Sequence, residues 1–317
     1  MPKRCSVFVA GILVWAASQS YVNAEQATSR PSVPESFTRF VDDGNGGGAL
    51  ETADVAFSNR DGVAVHLIGA IHMGEKAYYS ELNKDFQYYD AVLYELVKPR
   101  DAAPPQPGEP VKSSSGIGQL QHFLKTALDL DFQLDDVDYS APNFVHADMD
   151  AETFRKMQEA RGETFEQLFL QQLIKAFTDP PKGAEISDAE SLRDLVVVLT
   201  HPDMERQIKV VIARQLGDMD ASAMGLDGPN GSVLVTERNK AALKVLSDTI
   251  ASGKKKIAIF YGAAHMPDMS KRLKEMGFEP VTTHWNQAWD LKIRANQPSA
   301  AETFLKNMFD NSKSDNN

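Results

Sequence analysis

The sequence predicts an α/β fold: a mixed sheet core built from two related strand–Gly-Ala-x-His-Met–helix–strand units, with a large helical insertion between them. Three observations carry that expectation. Two apolar runs, "VAVHLIGAIHMGEKAYY" and "IAIFYGAAHMPDM", end in the same pentapeptide pattern, at His72 and His265. Each is followed by a helical stretch and then a strand-like run, "DAVLYELV" after the first and "FEPVTTHW" after the second. Between them, residues 119–252 carry apolar side chains mainly at three- and four-residue spacing, the period of an amphipathic helix.

The elements follow in order. Residues 1–24 read as a secretory signal, with Lys3 and Arg4 as its basic start, Cys5 to Ala17 as its apolar stretch and Val22-Asn23-Ala24 at a cleavage site. The stretch is shorter than the roughly 20 residues of a spanning helix. Cleavage is therefore favoured over an uncleaved anchor, and the mature chain is expected to be secreted or periplasmic. Residues 25–48 read as a flexible leader. Its "GNGGGA" matches a dinucleotide-binding pattern in letters only, because it precedes a strand instead of following one. A single domain is expected over 49–292. There "ALETADVAF" and "VAVHLIGAI" are strands joined at an Asp61-Gly62 turn, and Tyr79, Leu82, Phe86 and Tyr89 form a helical stripe. The stretch "KPRDAAPPQPGEPVKSSSGIG" is loop, Asp150 and Thr236 are candidate N-caps, and Gly253 is a helix stop. A last helix and a disordered tail fill 293–317.

Formal net charge is −11, which disfavours nucleic acid and anionic membrane as partners. The one cysteine, Cys5, falls in the signal, so the mature chain has no disulfide, thiolate metal site or cysteine nucleophile. No H-E-x-x-H, G-x-S-x-G or P-loop occurs. Chemistry must therefore be assembled from positions far apart in the chain.

Both motif histidines are expected just outside the carboxyl ends of strands, where open α/β sheets place their sites. Glycine at the strand end permits close backbone approach. Two imidazoles and a carboxylate make a first shell for a catalytic divalent ion, and Glu95, at the end of an apolar strand, is the natural carboxylate. Zn, Mn and Co all suit such a set. Aligning the two return strands by their starts sets His284 opposite Glu95, which makes His284 a lower-ranked ligand. His146 and Asp148 in "NFVHADMD" form a further polar cluster, for which helix capping by Asp148 or Asp150 is the leading reading.

The pair Gly69-Ala-Ile-His72 and Gly262-Ala-Ala-His265 resembles the G-x-x-H motifs of the TraB/PrgY/GumN family, whose animal branch is the Tiki metalloproteases. Glu95 follows the first motif as that family's glutamate does. Glu237, Arg238 and Asn239 in "TERNKA" resemble its E-R-N, and "HWNQAW" resembles its Trp-containing end. The likeness spans about residues 50–292. It implies a core of two related halves, similar to the erythromycin-esterase and ChaN-like folds, with a divalent-metal site and, for the Tiki branch, metal-dependent peptide hydrolysis. The first motif departs from the family's frequent Gly-Thr-x-His at Ala70, which removes a hydroxyl.

The expected function is a secreted metal-dependent hydrolase acting on a peptide or small ester. His72, His265 and Glu95 would hold the ion, or Glu95 would act as general base on its water. Arg238 would stabilise an anionic group, unless it is spent in a buried ion pair with Glu95 or Glu237. The competing expectation is a haem-, iron- or peptide-binding module without catalysis, with Tyr78 and Tyr79 as candidate haem or iron ligands.

Overall fold

The computed structural model describes residues 32–105, 128–161, 203–217 and 231–293. The signal segment, most of the Pro-rich loop, part of the insertion, and the terminal helix and tail beyond Ile293 lie outside these residues. The fold is α/β, with a seven-stranded mixed sheet.

The first strand, β1 (Thr38–Asp42), pairs antiparallel with β2 (Gly48–Ser58). This corrects the flexible leader expected there: Phe37 is buried in the core, and "TRFV" supplies the β-branched and aromatic residues that suit a strand. After a turn in which Gly62 has φ +73°, β3 (Ala64–Ala70) returns antiparallel to β2. Then come a two-residue strand β4 (Met73–Gly74), helix α1 (Lys76–Phe86) and β5 (Ala91–Tyr94).

The insertion begins with β6 (Asp131–Phe132), which pairs with β4, and the single helical turn α2 (Gln133–Asp136). Next, β7 (Phe144–His146) pairs parallel with β5. A sheet strand inside the stretch expected to be mainly helical is a second correction. Three residues are too few to show a period of two. Helices α3 (Ala151–Arg161), α4 (Met204–Gly217) and α5 (Arg238–Ala251) follow. Asp150 caps α3, its carboxylate accepting from the Thr153 N–H at 3.0 Å. Thr236 does not stand at a cap position; it lies inside a π-helical turn, Val233–Glu237, whose own cap is Ser232. Gly253, at φ +93°, stops α5 in the left-handed region where glycine is unstrained. Last come β8 (Lys256–Gly262), a 3-10 turn (Ala263–His265), α6 (Met266–Glu275) and β9 (Glu279–Asp290).

Strand β9 runs along one edge of β2, while β1 and β3 share the other edge end to end. Beyond β3 lie β8, β5 and β7, all parallel to it. Alternation along these strands feeds two cores. Val65, Leu67, Ile257, Ile259 and Leu93 pack with Met266, Met269 and Leu273 of α6. Ile68, Phe260 and Val92 face the other way and pack with Tyr78, Tyr79, Leu82 and Phe86 of α1. The helices after the two motifs thus leave neighbouring parallel strands for opposite faces of the sheet. Such a divergence opens a crevice at the strands' carboxyl ends, the usual place for a site in an open α/β sheet.

Candidate functional site

Ala70 stands in register with Gly262, so the two Gly-Ala-x-His motifs leave adjacent strands side by side. Around the first motif the chain is clamped from three sides. The Tyr78 hydroxyl donates to the Gly69 carbonyl at 3.3 Å and the Tyr79 hydroxyl to that of Ile71 at 3.0 Å. From the far end of the chain, Trp289 Nε1 donates to the Met73 carbonyl at 2.8 Å. Both phenols are buried and their hydroxyls are bonded to the protein backbone, as struts of the His72 loop. Burial drives both phenol pKa values far upward, which keeps them neutral.

His72 itself is exposed, and its Nδ1 lies 3.2 Å from Gln133 Oε1. Gln133 donates its amide N–H to the Tyr139 hydroxyl at 2.9 Å, which turns its oxygen toward the imidazole. The β4–β6 pairing brings Gln133 there, and its backbone N–H donates to the His72 carbonyl at 3.0 Å.

His265 is buried. Its Nδ1 lies 2.7 Å from Asn239 Oδ1. The Asn239 amide donates to the His265 carbonyl at 3.1 Å and to Asp268 Oδ2 at 2.8 Å, so its oxygen is the acceptor and His265 carries its proton on Nδ1. The Nε2 lone pair then faces Glu95 Oε1 at 3.5 Å. Both motif histidines are therefore held the same way, Nδ1 toward a carboxamide oxygen and Nε2 left over. Metal-binding histidines are commonly fixed through their second ring nitrogen in this manner.

Glu95 sits at the carboxyl end of β5. One oxygen accepts from the Gly262 N–H at 2.6 Å and the other from Arg238 Nη2 at 2.7 Å. A side chain at position 262 would place its Cβ 3.3 Å from that carboxylate, which gives the motif's glycine its reason. Burial raises the Glu95 pKa, but electrostatic interaction with His265, Arg238 and His72 and the Gly262 N–H outweigh it and bring it down to about 2. For His265 the balance goes the other way: burial lowers its pKa despite Glu95.

Arg238 enters from the first turn of α5, where the preceding π-helical turn sets its direction. Its guanidinium is buried between Glu95 and Asp148, with Nε 3.0 Å from Asp148 Oδ1 and Nη2 bonded to the other oxygen. Of the two partners weighed for Arg238, Glu95 is the one used. Glu237 faces outward to Arg161 at 2.7 Å and Lys240 at 2.9 Å.

Of the residues singled out in the sequence, His265, Glu95 and Arg238 stand in mutual contact through Glu95, and His72 acts on Glu95 and His265 electrostatically. Asp148 joins them as a buried partner of Arg238, not as the helix cap it resembled. His146 does not join; its Nε2 is 2.7 Å from the Leu96 carbonyl. Nor does His284, which is exposed on β9 in register with Asp54. Its alignment with Glu95 fails because β5 has 4 residues and β9 has 12, so matching their starts puts His284 in mid-strand. Gln133 and Asp268 were not foreseen, and neither was the job of Asn239, although the E-R-N likeness already pointed at that residue.

No family model, curated protein or solved structure matches the chain. The site's function must be read from its own chemistry. Among the described residues, no three His, Cys, Asp or Glu groups already stand arranged to hold a metal. The donor set nevertheless fits a cation. Two buried carboxylates, Glu95 and Asp148, face one guanidinium, an excess of one negative charge when the imidazoles are neutral. Between His265 Nε2 and Glu95 Oε1 a lone pair meets a carboxylate with no proton to share. A positive ion there would turn two repelling acceptors into two donors of electron pairs.

Proposed function

We propose that this protein is a secreted metal-dependent hydrolase, with peptides as its preferred substrate class. The observation that carries the reading is the 3.5 Å approach of His265 Nε2 to Glu95 Oε1 with the imidazole proton committed to Asn239. His265 and Glu95 would hold a divalent ion, Zn, Mn or Co, and the exposed His72 would complete the set. Such an ion supplies Lewis acidity toward a carbonyl or water oxygen.

The chain's own residues set the conditions for that chemistry. Arg238 and the Gly262 N–H keep Glu95 ionised, and a carboxylate with a pKa near 2 suits a ligand better than a proton acceptor at neutral pH. Arg238, committed to Glu95 and Asp148, acts as the electrostatic support of Glu95 and does not reach for substrate. Gln133 and Asn239 orient the two imidazoles. The likeness of the paired G-x-x-H motifs to the TraB/PrgY/GumN family supports peptide over ester as substrate, and the reading of residues 1–24 as a signal supports secretion.

The test is elemental analysis of the purified protein beside a His72→Ala/His265→Ala variant. The wild type is expected to retain about one divalent ion per chain and the variant none. Equal metal in both would sink the proposal.

A further inference from the structure

We infer that Asn239 is a positioning residue that decides which ring nitrogen of His265 carries the proton, holding it on Nδ1 against the pull of Glu95. A neutral imidazole has one N–H and two places to give it. On one side is Asn239 Oδ1 at 2.7 Å from Nδ1; on the other is Glu95 Oε1 at 3.5 Å from Nε2. A carboxylate is the stronger acceptor of the two, since hydrogen bonds to charged groups are roughly twice as strong as neutral ones. Left alone, His265 would give its proton to Glu95.

Consecutive residues of α5 prevent this from opposite sides. Arg238 holds Glu95 Oε1 at 2.7 Å while the Gly262 N–H holds Oε2 at 2.6 Å, which keeps the carboxylate at arm's length from the ring. Asn239 is fully buried and cannot turn its oxygen away, because its amide nitrogen is tied to the His265 carbonyl and to Asp268. The Asp268 charge also polarises that amide and makes its oxygen a better acceptor. The outcome is an Nε2 lone pair left free at the site. The significance of this for metal binding rests on the function proposed above; the tautomer itself does not.

The test reads the tautomer directly, by NMR of isotope-labelled histidine in the metal-free protein at mildly alkaline pH, with His265 assigned through a His265→Gln variant. The wild type is expected to show His265 protonated on Nδ1 alone. Asn239→Ala is expected to move the proton to Nε2, and Asn239→Asp, which keeps an acceptor in place, to leave it on Nδ1. An Nε2–H tautomer in the wild type would overturn the inference whether or not the variants fold. So would an unchanged Nδ1–H tautomer in Asn239→Ala. In a cobalt(II) titration, Asn239→Ala is expected to bind about 10- to 100-fold more weakly than wild type, with recovery in Asn239→Asp. Wild-type protein that takes up no cobalt while showing the Nδ1–H tautomer would defeat the metal reading and uphold the role of Asn239.

Discussion

Arg238→Met removes the guanidinium that stands between two buried carboxylates. The Asp148 side chain is 0% exposed and that of Glu95 10%, so water cannot replace the guanidinium at either. Among the described residues Asp148 loses bonds to both oxygens and keeps only the Met149 N–H, while Glu95 keeps the Gly262 N–H. Breaking a buried ion pair from one side costs about 3–5 kcal/mol, because a charge is left without a partner. Here two are left, which puts the expected loss at the upper end, about 5 kcal/mol. The assay is urea unfolding followed by tryptophan fluorescence. The loss should depend on pH in a definite sense. In the variant the penalty falls on a stranded negative charge, which acid removes. The gap to wild type should therefore be widest near neutrality and narrow as pH falls through the carboxylate range. Arg238→Met/Asp148→Asn, with one stranded charge removed, should be more stable than Arg238→Met alone. A loss below about 1 kcal/mol, or a double variant no better than the single, would refute the view of Arg238 as the cluster's counter-charge.

Two further outcomes follow from the same geometry. In the wild type both Glu95 and His265 have folded pKa values below their unfolded ones, 4.5 and 6.5, so the unfolded chain binds more protons in acid. Stability should begin to fall below pH 6.5 and drop faster below 4.5, Glu95 alone contributing roughly 3 kcal/mol that is gone by about pH 2; a flat profile between pH 7 and 4 would contradict this. Trp289→Phe keeps an aromatic ring, though a smaller one, and strands the Met73 carbonyl, at an expected cost of about 1–3 kcal/mol for the lost hydrogen bond alone. Faster chemical modification of His72 by an imidazole-directed reagent should accompany it, and unchanged reactivity would show that the Trp289 clamp does not hold the His72 loop.

The strands β2, β3, β5, β8 and β9 and the helices α1 and α6 were legible because each is an apolar or alternating run set off by turn residues, or carries a helical stripe. The short strands β1 and β7 were not, since pairing with a neighbour and not their own pattern makes them strands. The repeated Gly-Ala-x-His-Met likewise announced two equivalent strand ends and a close backbone approach at its glycine; that the approaching group at Gly262 is the Glu95 carboxylate came only with the structure.

What the sequence by itself determined is which residues are equipped for chemistry: two histidines in one repeated setting, a glutamate ending an apolar strand, an arginine opening a helix. What only the tertiary structure decided is who faces whom. Arg238 had a nearest neighbour in Glu237, yet it turns to Glu95 and Asp148, 143 and 90 residues away, because the sheet sets the ends of β5 and β7 side by side and α5 begins against them. His284 matched Glu95 by count but lies on an exposed edge strand. Local composition governs what a side chain can do, whereas hydrogen bonds and buried charge are settled by contacts that the chain makes only once its sheet is assembled.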